Sequence, residues 1–249
     1  MSSKMIDRTE FKSDAIFVEE SLCETLYRLG EARHGLREYT DQQIREALDW
    51  VASTEKTRDS GRLVFERTSY DRQLTGGYRS ETGEYIRKKY LKLPTGEPKW
   101  NLPVEYVYTV LVWEKRSAAI VRRARHSFLN VYPGPGTRYA GTKLGYFCCG
   151  SCNALCQKTL RLADPELYAE SEEAFVDNLR SNRTARGRWR KYPFFYTVLA
   201  LDEINSEATQ EELFNVSEHI DPALLKRYQG NDRASRFRRL AIQAVLRYK

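Results

Sequence analysis

Four of the five cysteines lie within nine residues of one another, at Cys148, Cys149, Cys152 and Cys156. Thiolates at this spacing can bind Zn²⁺ or an iron–sulfur cluster. A Cys-x-x-Cys pair at the start of a helix is also a redox geometry, because the helix N-terminus stabilises the thiolate. We therefore predict a metal site at these four residues, with zinc or an iron–sulfur cluster as its cofactor.

The same cysteines also fit the buried face of a helix. Cys149, Cys152 and Cys156 are spaced i, i+3 and i+7, which places them on one side of a helix. Cysteine behaves as a small and often buried hydrophobic residue. The cluster also lacks the second pair of ligands that defines a zinc ribbon. Metal binding, redox chemistry and core packing therefore all remain open.

Other familiar catalytic motifs are absent from the sequence. The chain contains three histidines, His34, His126 and His219, which disfavours a multi-histidine metal site. It has neither a Gly-x-Ser-x-Gly sequence nor a phosphate-binding Gly-x4-Gly-Lys-Ser/Thr loop. No particular reaction or substrate follows from the residues.

Positive charge is concentrated towards the C-terminus. The whole chain has a formal charge of +7, and residues 224–249 contain eight Lys or Arg against a single acid, Asp232. Arginines beside aromatic residues suit phosphate contact combined with base stacking. The candidate nucleic-acid-binding residues are Arg186, Arg188, Arg190, Arg236, Arg238 and Arg239. The alternative is that arginines pair with the acidic segment 203–218.

Helical patterns dominate the sequence. Thr40 followed by Gln43 matches a capping box, and the apolar spacing behind it predicts a helix over Thr40–Ser53. An earlier helix is indicated by apolar residues from Ile16 to Leu29, with Gly30 close to its end. Asp164-Pro165 and Asp221-Pro222 each combine a capping carboxylate with a proline suited to a first helical turn. A C-terminal helix is indicated by an apolar stripe comprising Phe237, Leu240, Ala241, Ala244, Val245 and Tyr248.

Strand signals are weaker. Leu63–Phe65 and Tyr106–Val110 are rich in strand-forming residues, but the second segment could equally be a buried helix. The polar region 68–101 is interpreted as a loop or an irregular excursion. Residues 130–145 contain Pro133-Gly134-Pro135-Gly136, a rigid turn that separates two helical stretches and marks a candidate boundary between halves.

Two segments of the chain resemble each other. Residues 96–114 and 187–203 both contain glycine, tryptophan and proline followed by Tyr-Thr-Val-Leu, and the two tyrosines, Tyr108 and Tyr196, lie 88 residues apart. A unit in which a glycine turn and an aromatic plug precede a helix must pack against other copies to bury its apolar face. We expect a ligand cavity or concave face lined by aromatic residues, namely Trp100, Tyr108, Trp189, Phe195 and Tyr196.

This repeat resembles the α/α-toroid helical repeats of terpene cyclases and prenyltransferases, in which a Gly-x-Trp turn precedes a helix opening with Tyr-Thr or a similar pair. The resemblance covers residues 47–203 loosely. It implies a mostly α fold of helical hairpins with irregular loop excursions. The aspartate-rich protonation motif of the cyclases and the separated zinc ligands of the prenyltransferases are missing here, so the resemblance implies the scaffold alone.

We therefore predict one helical-repeat domain over residues 1–249. The longest apolar runs, of about eight residues, are too short to span a membrane, and the first 20 residues lack the apolar core of a signal peptide, so we expect a cytoplasmic protein. The favoured function is an enzyme-like or ligand-binding protein with a cysteine metal site, whose partner is a small apolar ligand or a polyanion. The alternatives are a non-enzymatic module that binds nucleic acid or a protein partner through its basic surfaces, and a structural scaffold.

Overall fold

The chain is mostly helical in a computed structural model that describes residues 16, 22–57, 63–65, 78–79, 85–86, 102–113, 118–131, 150–231 and 233–249. The described helices are α1 (Leu22–Arg33), α2 (Asp41–Ser53), α3 (Leu102–Val112), α4 (Ala118–Val131), α5 (Gly150–Ala163), α6 (Pro165–Asn182), α7 (Phe194–Ile204), α8 (Glu207–Ser217), α9 (Leu224–Arg227) and α10 (Arg233–Leu246). No described helix combines the length and the apolar composition that crossing a bilayer requires.

Two small antiparallel hairpins accompany these helices. Strand β1 (Glu55–Thr57) pairs with β2 (Leu63–Phe65), and β3 (Tyr78–Arg79) pairs with β4 (Tyr85–Ile86). The strand expected at Leu63–Phe65 is therefore confirmed. The run Tyr106–Val110, for which strand and helix were both open, is helical and forms the buried centre of α3.

Local capping signals fix the starts of two helices. The side chain of Thr40 accepts a hydrogen bond from the Gln43 amide, and the full capping box is present at the start of α2. Asp164 accepts from the Leu167 amide at 3.0 Å and precedes the proline that opens α6. Both predictions are confirmed. Asp221 instead accepts from the Ala223 amide at 2.8 Å, in a turn that leads into the short helix α9.

The first helix ends at Arg33, close to Gly30 as expected, and the glycine of its C-terminal turn is Gly35. Gly30 lies inside α1, whereas Gly35 has a φ of +63°. The Gly35 amide donates to the Ala32 carbonyl, and the Leu36 amide donates to the Glu31 carbonyl, which is the pattern of a Schellman motif. The left-handed conformation requires a glycine at position 35, while Gly30 adopts an ordinary helical conformation.

Helix α5 lies at the centre of the described fold. It packs against α3, α4, α6 and α7, and it is buried on nearly every side. A helix buried all round is expected in the interior of a bundle. Helices α3 and α7, which carry the two Tyr-Thr-Val-Leu segments, both contact α5. The C-terminal helix α10 packs against α7, α8 and α9, which confirms the expected buried stripe through Phe237, Ala241, Ala244 and Val245.

A turn between α6 and α7 holds the second repeated tryptophan. Arg183 and Trp189 form an isolated antiparallel bridge, and Gly187 between them has a φ of +64°. The indole Nε1–H of buried Trp189 donates to Glu212 Oε1 at 2.9 Å, while the Arg183 guanidinium binds the same carboxylate. Trp189 therefore joins this turn to α8.

We expect Trp189→Phe to lower the free energy of unfolding by about 2 kcal/mol, because a hydrogen bond to a buried carboxylate is lost. Equilibrium urea denaturation of wild type and variant measures the difference. Equal stability of the two proteins would show that the indole hydrogen bond contributes nothing to this junction.

Candidate functional site

A small cavity lies where five helices meet. Its volume is about 50 Å³, and side chains from α1, α3, α5, α7 and α10 line it. Its polar lining residues include Arg33, His34, Tyr108, Thr109, Lys158, Tyr196 and Glu203. Such a volume accommodates about one to three water-sized groups, and so matches the head group of a small molecule rather than a whole one.

A buried ion cluster forms one wall of this cavity. Lys158 and Glu203 have side chains only 7% and 8% exposed, and Lys158 Nζ lies 3.3 Å from Glu203 Oε2. The other oxygen, Oε1, lies 3.1 Å from His34 Nε2 and 3.4 Å from an Arg33 guanidinium nitrogen. One carboxylate is therefore shared by two permanent cations and an imidazole.

The repeated tyrosines enclose the lysine. Lys158 Nζ lies 3.9 Å from the ring centroid of Tyr108 and 5.3 Å from that of Tyr196. Arg33 also donates to the Tyr108 hydroxyl. An ammonium over aromatic faces is stabilised by the negative face of each ring, most strongly where water is excluded. The two Tyr-Thr-Val-Leu segments thus each supply one wall of the same lysine site.

Local helix geometry places these groups. Tyr196 and Glu203 are seven residues apart on α7 and therefore lie on one helix face. Arg33 is the last residue of α1, and His34 follows it before the turn at Gly35, so the Schellman motif directs both side chains. The His34 ring also meets the Phe237 ring edge-to-face, with centroids 6.0 Å apart.

The acid of the cluster remains ionised. Burial alone would raise the pKa of Glu203, but the Lys158 charge, the His34 hydrogen bond and the Arg33 charge outweigh burial and lower that pKa from 4.5 to about 2. Glu203 therefore acts as a fixed negative charge that holds the cations and not as a proton donor. The groups left to meet a ligand are hydrogen-bond donors.

The predicted cavity residues are only partly brought together. Tyr108 and Tyr196 line the cavity, as expected. Trp189 lies instead in the α6–α7 turn, and Phe195 packs against Tyr228 with ring centroids 5.5 Å apart. Residue 195 is one position from 196 on α7, so the two side chains are directed about 100° apart around the helix. Trp100 lies outside the described residues.

The structure describes two of the four clustered cysteines. Cys152 and Cys156 lie on α5 and are buried, with 6% and 0% exposure. Cys148 and Cys149 lie outside the described residues. No group of three or more His, Cys, Asp or Glu side chains suited to a metal ion occurs in the described part of the chain. A metal site at the four cysteines therefore stays a prediction.

The candidate nucleic-acid residues divide into two sets. Arg236 binds the buried carboxylate of Glu31, and Arg239 donates to the carbonyls of Tyr228 and Gly230, so both have internal partners. Arg186, Arg188 and Arg190 are exposed in the segment before α7. The guanidinium of Arg188 lies over the Phe194 ring, and that of Arg238 lies over the Phe195 ring.

The acidic segment 203–218 binds some arginines, but among the described residues Arg186 and Arg190 are not among them. Glu212 binds Arg183, and Glu211 lies 3.0 Å from Arg180. Among the described residues, neither Arg186 nor Arg190 has a carboxylate within 4.0 Å. Nucleic-acid binding stays a prediction.

Comparison with known proteins adds no assignment. No protein-family model, curated protein or solved structure matches the chain.

The sequence analysis did not assign Lys158, Glu203, Arg33 or His34 to this cavity. Lys158 and Glu203 are 45 positions apart and on different helices, so no local spacing joins them. One signal was available for Glu203, because the run of α7 before it, Phe194–Leu201, is apolar apart from Thr197. A charge at a buried helix position requires a partner.

Proposed function

We propose that this protein binds a small oxyanion, such as the carboxylate of a metabolite-sized molecule, in the cavity beside Lys158 and Glu203. The observation that carries the proposal is the imbalance between cations and carboxylates in the lining. Arg33 and Lys158 face the cavity with His34, and Glu203 is the single carboxylate among the described lining residues.

The numbers of donors and acceptors support this ligand chemistry. An ammonium has three N–H donors and a guanidinium has five, and Glu203, the one carboxylate in the described lining, already lies against Lys158, His34 and Arg33. A ligand oxyanion would supply the missing acceptors and a second negative charge. An apolar ligand would desolvate the same cations without compensation, which is unfavourable. The geometry therefore favours an anionic head group over the small apolar ligand expected from the aromatic residues.

We also propose that the scaffold is a tandem α/α repeat. Helix α1 packs against α2 and α3, and α3 against α4, while α5 packs against α6 and α7, and α7 against α8. In the first group, α3 and α4 pack against the following helix, α5. In the second group, α7 and α8 pack against α10. This correspondence, together with the repeated Tyr108 and Tyr196, supports the toroid-like repeat. An experimental structure in which residues 22–131 fail to superpose on residues 150–217 would contradict it.

Ligand binding can be tested with two simple probes, acetate and inorganic phosphate, each compared with chloride at constant ionic strength. A ligand that binds only the folded state raises Tm as its concentration increases. We expect at least one probe to raise the Tm of the wild type, and Lys158→Met to abolish that increase. Lys226→Met, at an exposed position on α9, is the matched control and should keep it.

The two probes separate a planar carboxylate from a tetrahedral phosphate as the preferred head group. Because Lys158→Met also removes a partner of Glu203, Arg33→Gln is a second variant that should weaken the same response. If neither probe acts more strongly than chloride on the wild type, or if both variants respond like the wild type, the proposal is wrong.

A further inference from the structure

A row of aromatic rings between two arginines lies outside the cavity. The ring centroids of Phe194 and Phe195 are 5.3 Å apart, and those of Phe195 and Tyr228 are 5.5 Å apart. The guanidinium of Arg188 lies 5.2 Å from the Phe194 ring, and that of Arg238 lies 5.3 Å from the Tyr228 ring. We call these five residues the aromatic row.

We propose that the aromatic row binds single-stranded nucleic acid. All three residues are partly exposed, and a guanidinium lies over each ring, so an unpaired base would meet the rings and the arginines together. Base–aromatic stacking combined with arginine contacts is the general mode by which proteins bind single strands without strict sequence preference. Duplex DNA keeps its bases stacked on one another and offers this surface only its phosphates.

The charge around the row suits a polyanion. Exposed basic residues precede the ring residues in the chain, before Phe194 and before Tyr228; they are Arg186, Arg190, Lys191, Lys226 and Arg227. The exposed acids on the connection between α8 and α9 are Glu218 and Asp221. Positive charge therefore predominates, which attracts the phosphate backbone and makes binding sensitive to salt.

The contacts of the arginines also indicate which of them belong to the proposed nucleic-acid surface. Arg188 is exposed, stacks on Phe194 and forms no ion pair with another described residue, so it can reach a phosphate. Arg236 and Arg239 hold Glu31 and backbone carbonyls, so they support the fold beneath the row. The surface proposed here therefore includes Arg188 and Arg238 but not Arg236 and Arg239.

Fluorescence anisotropy with a labelled oligo(dT) strand and with a hairpin duplex of equal nucleotide number tests this proposal. We expect the single strand to bind more tightly than the duplex, with affinity falling as salt rises. Arg188→Glu should weaken single-strand binding about tenfold or more, since it reverses the charge beside a stacking ring. Arg45→Glu makes the same charge change at an exposed position on α2 and should leave binding nearly unchanged.

A second variant isolates stacking from charge. Phe195→Leu keeps an apolar side chain but removes the aromatic face, and it should weaken single-strand binding about fivefold or more while a thermal melt shows the protein still folded. Equal affinity for strand and duplex, equal effects of Arg188→Glu and Arg45→Glu, or no binding at low salt would each overturn the proposal. None of these outcomes depends on whether the cavity binds an oxyanion.

Discussion

Glu203→Gln is expected to destabilise the folded protein by about 3 kcal/mol at neutral pH, because it removes the only carboxylate that the described structure places against the buried ammonium of Lys158. The magnitude is consistent with the pKa of Glu203, whose reduction from 4.5 to about 2 corresponds to about 3 kcal/mol of stabilisation. Chemical denaturation at neutral pH measures the difference.

The pH dependence of stability provides an independent test of the same contact. A carboxyl whose folded-state pKa is lowered contributes its full stabilisation above its ordinary pKa and loses it as the pH falls towards the folded value. The wild type should therefore lose stability between about pH 4.5 and pH 2, in part through Glu203. In Glu203→Gln that loss should be smaller, because the titrating group is absent.

The control for both measurements is Glu38→Gln, at an exposed position in the loop between α1 and α2. It removes one carboxylate without disturbing the buried cluster, so stability should change by less than about 0.5 kcal/mol. Equal effects of the two substitutions would show that the Lys158–Glu203 pair does not stabilise the fold.

Gly150→Ala is expected to be the most disruptive single-methyl change at a described glycine. A Cβ at Gly150 would lie 2.2 Å from the Lys191 carbonyl oxygen and 2.8 Å from the Tyr192 Cα, and both are backbone atoms. The start of α5 and the turn before α7 would have to separate. Overpacking of this kind costs about 1–3 kcal/mol or more, so we expect a loss of at least about 3 kcal/mol at this backbone contact.

Gly30→Ala is the matched control, because it adds the same methyl group to another helix. No atom lies within 4 Å of a Cβ at Gly30, and its backbone is helical. Replacing glycine by alanine within a helix should stabilise the protein by about 0.5–1 kcal/mol. Thermal melts of the two variants should therefore shift in opposite directions, and a Gly150→Ala melt at or above that of the wild type would contradict the close approach of α5 and the α6–α7 turn.

Local features of the fold were accessible from sequence because their causes are local. The capping box at Thr40 and the Asp164-Pro165 start involve residues within three positions of each other, and the structure confirms both. The end of α1 was harder, because Gly30 and Gly35 are both plausible terminators. Which of them adopts a positive φ depends on where the chain turns towards α2.

The charged cavity could not be predicted from local sequence patterns. Lys158, Glu203 and Arg33 are distant in sequence and meet only because α1, α5 and α7 pack together. Tyr108 and Tyr196 could be predicted as cavity residues because both belong to the repeated segment. The repeat does not predict that a lysine lies between them. The cysteines attracted attention by their density, and two of them lie in the buried helix that also carries Lys158.

The most direct test of an oxyanion site is NMR observation of the lysine ammonium groups during titration with acetate and with phosphate. Lys158 is identified as the resonance lost in Lys158→Met, and a buried, ion-paired ammonium exchanges its protons slowly enough for detection. We predict that this resonance shifts and saturates with one of the two anions but not with chloride at the same ionic strength. A Lys158 resonance that stays unmoved throughout both titrations would contradict the account.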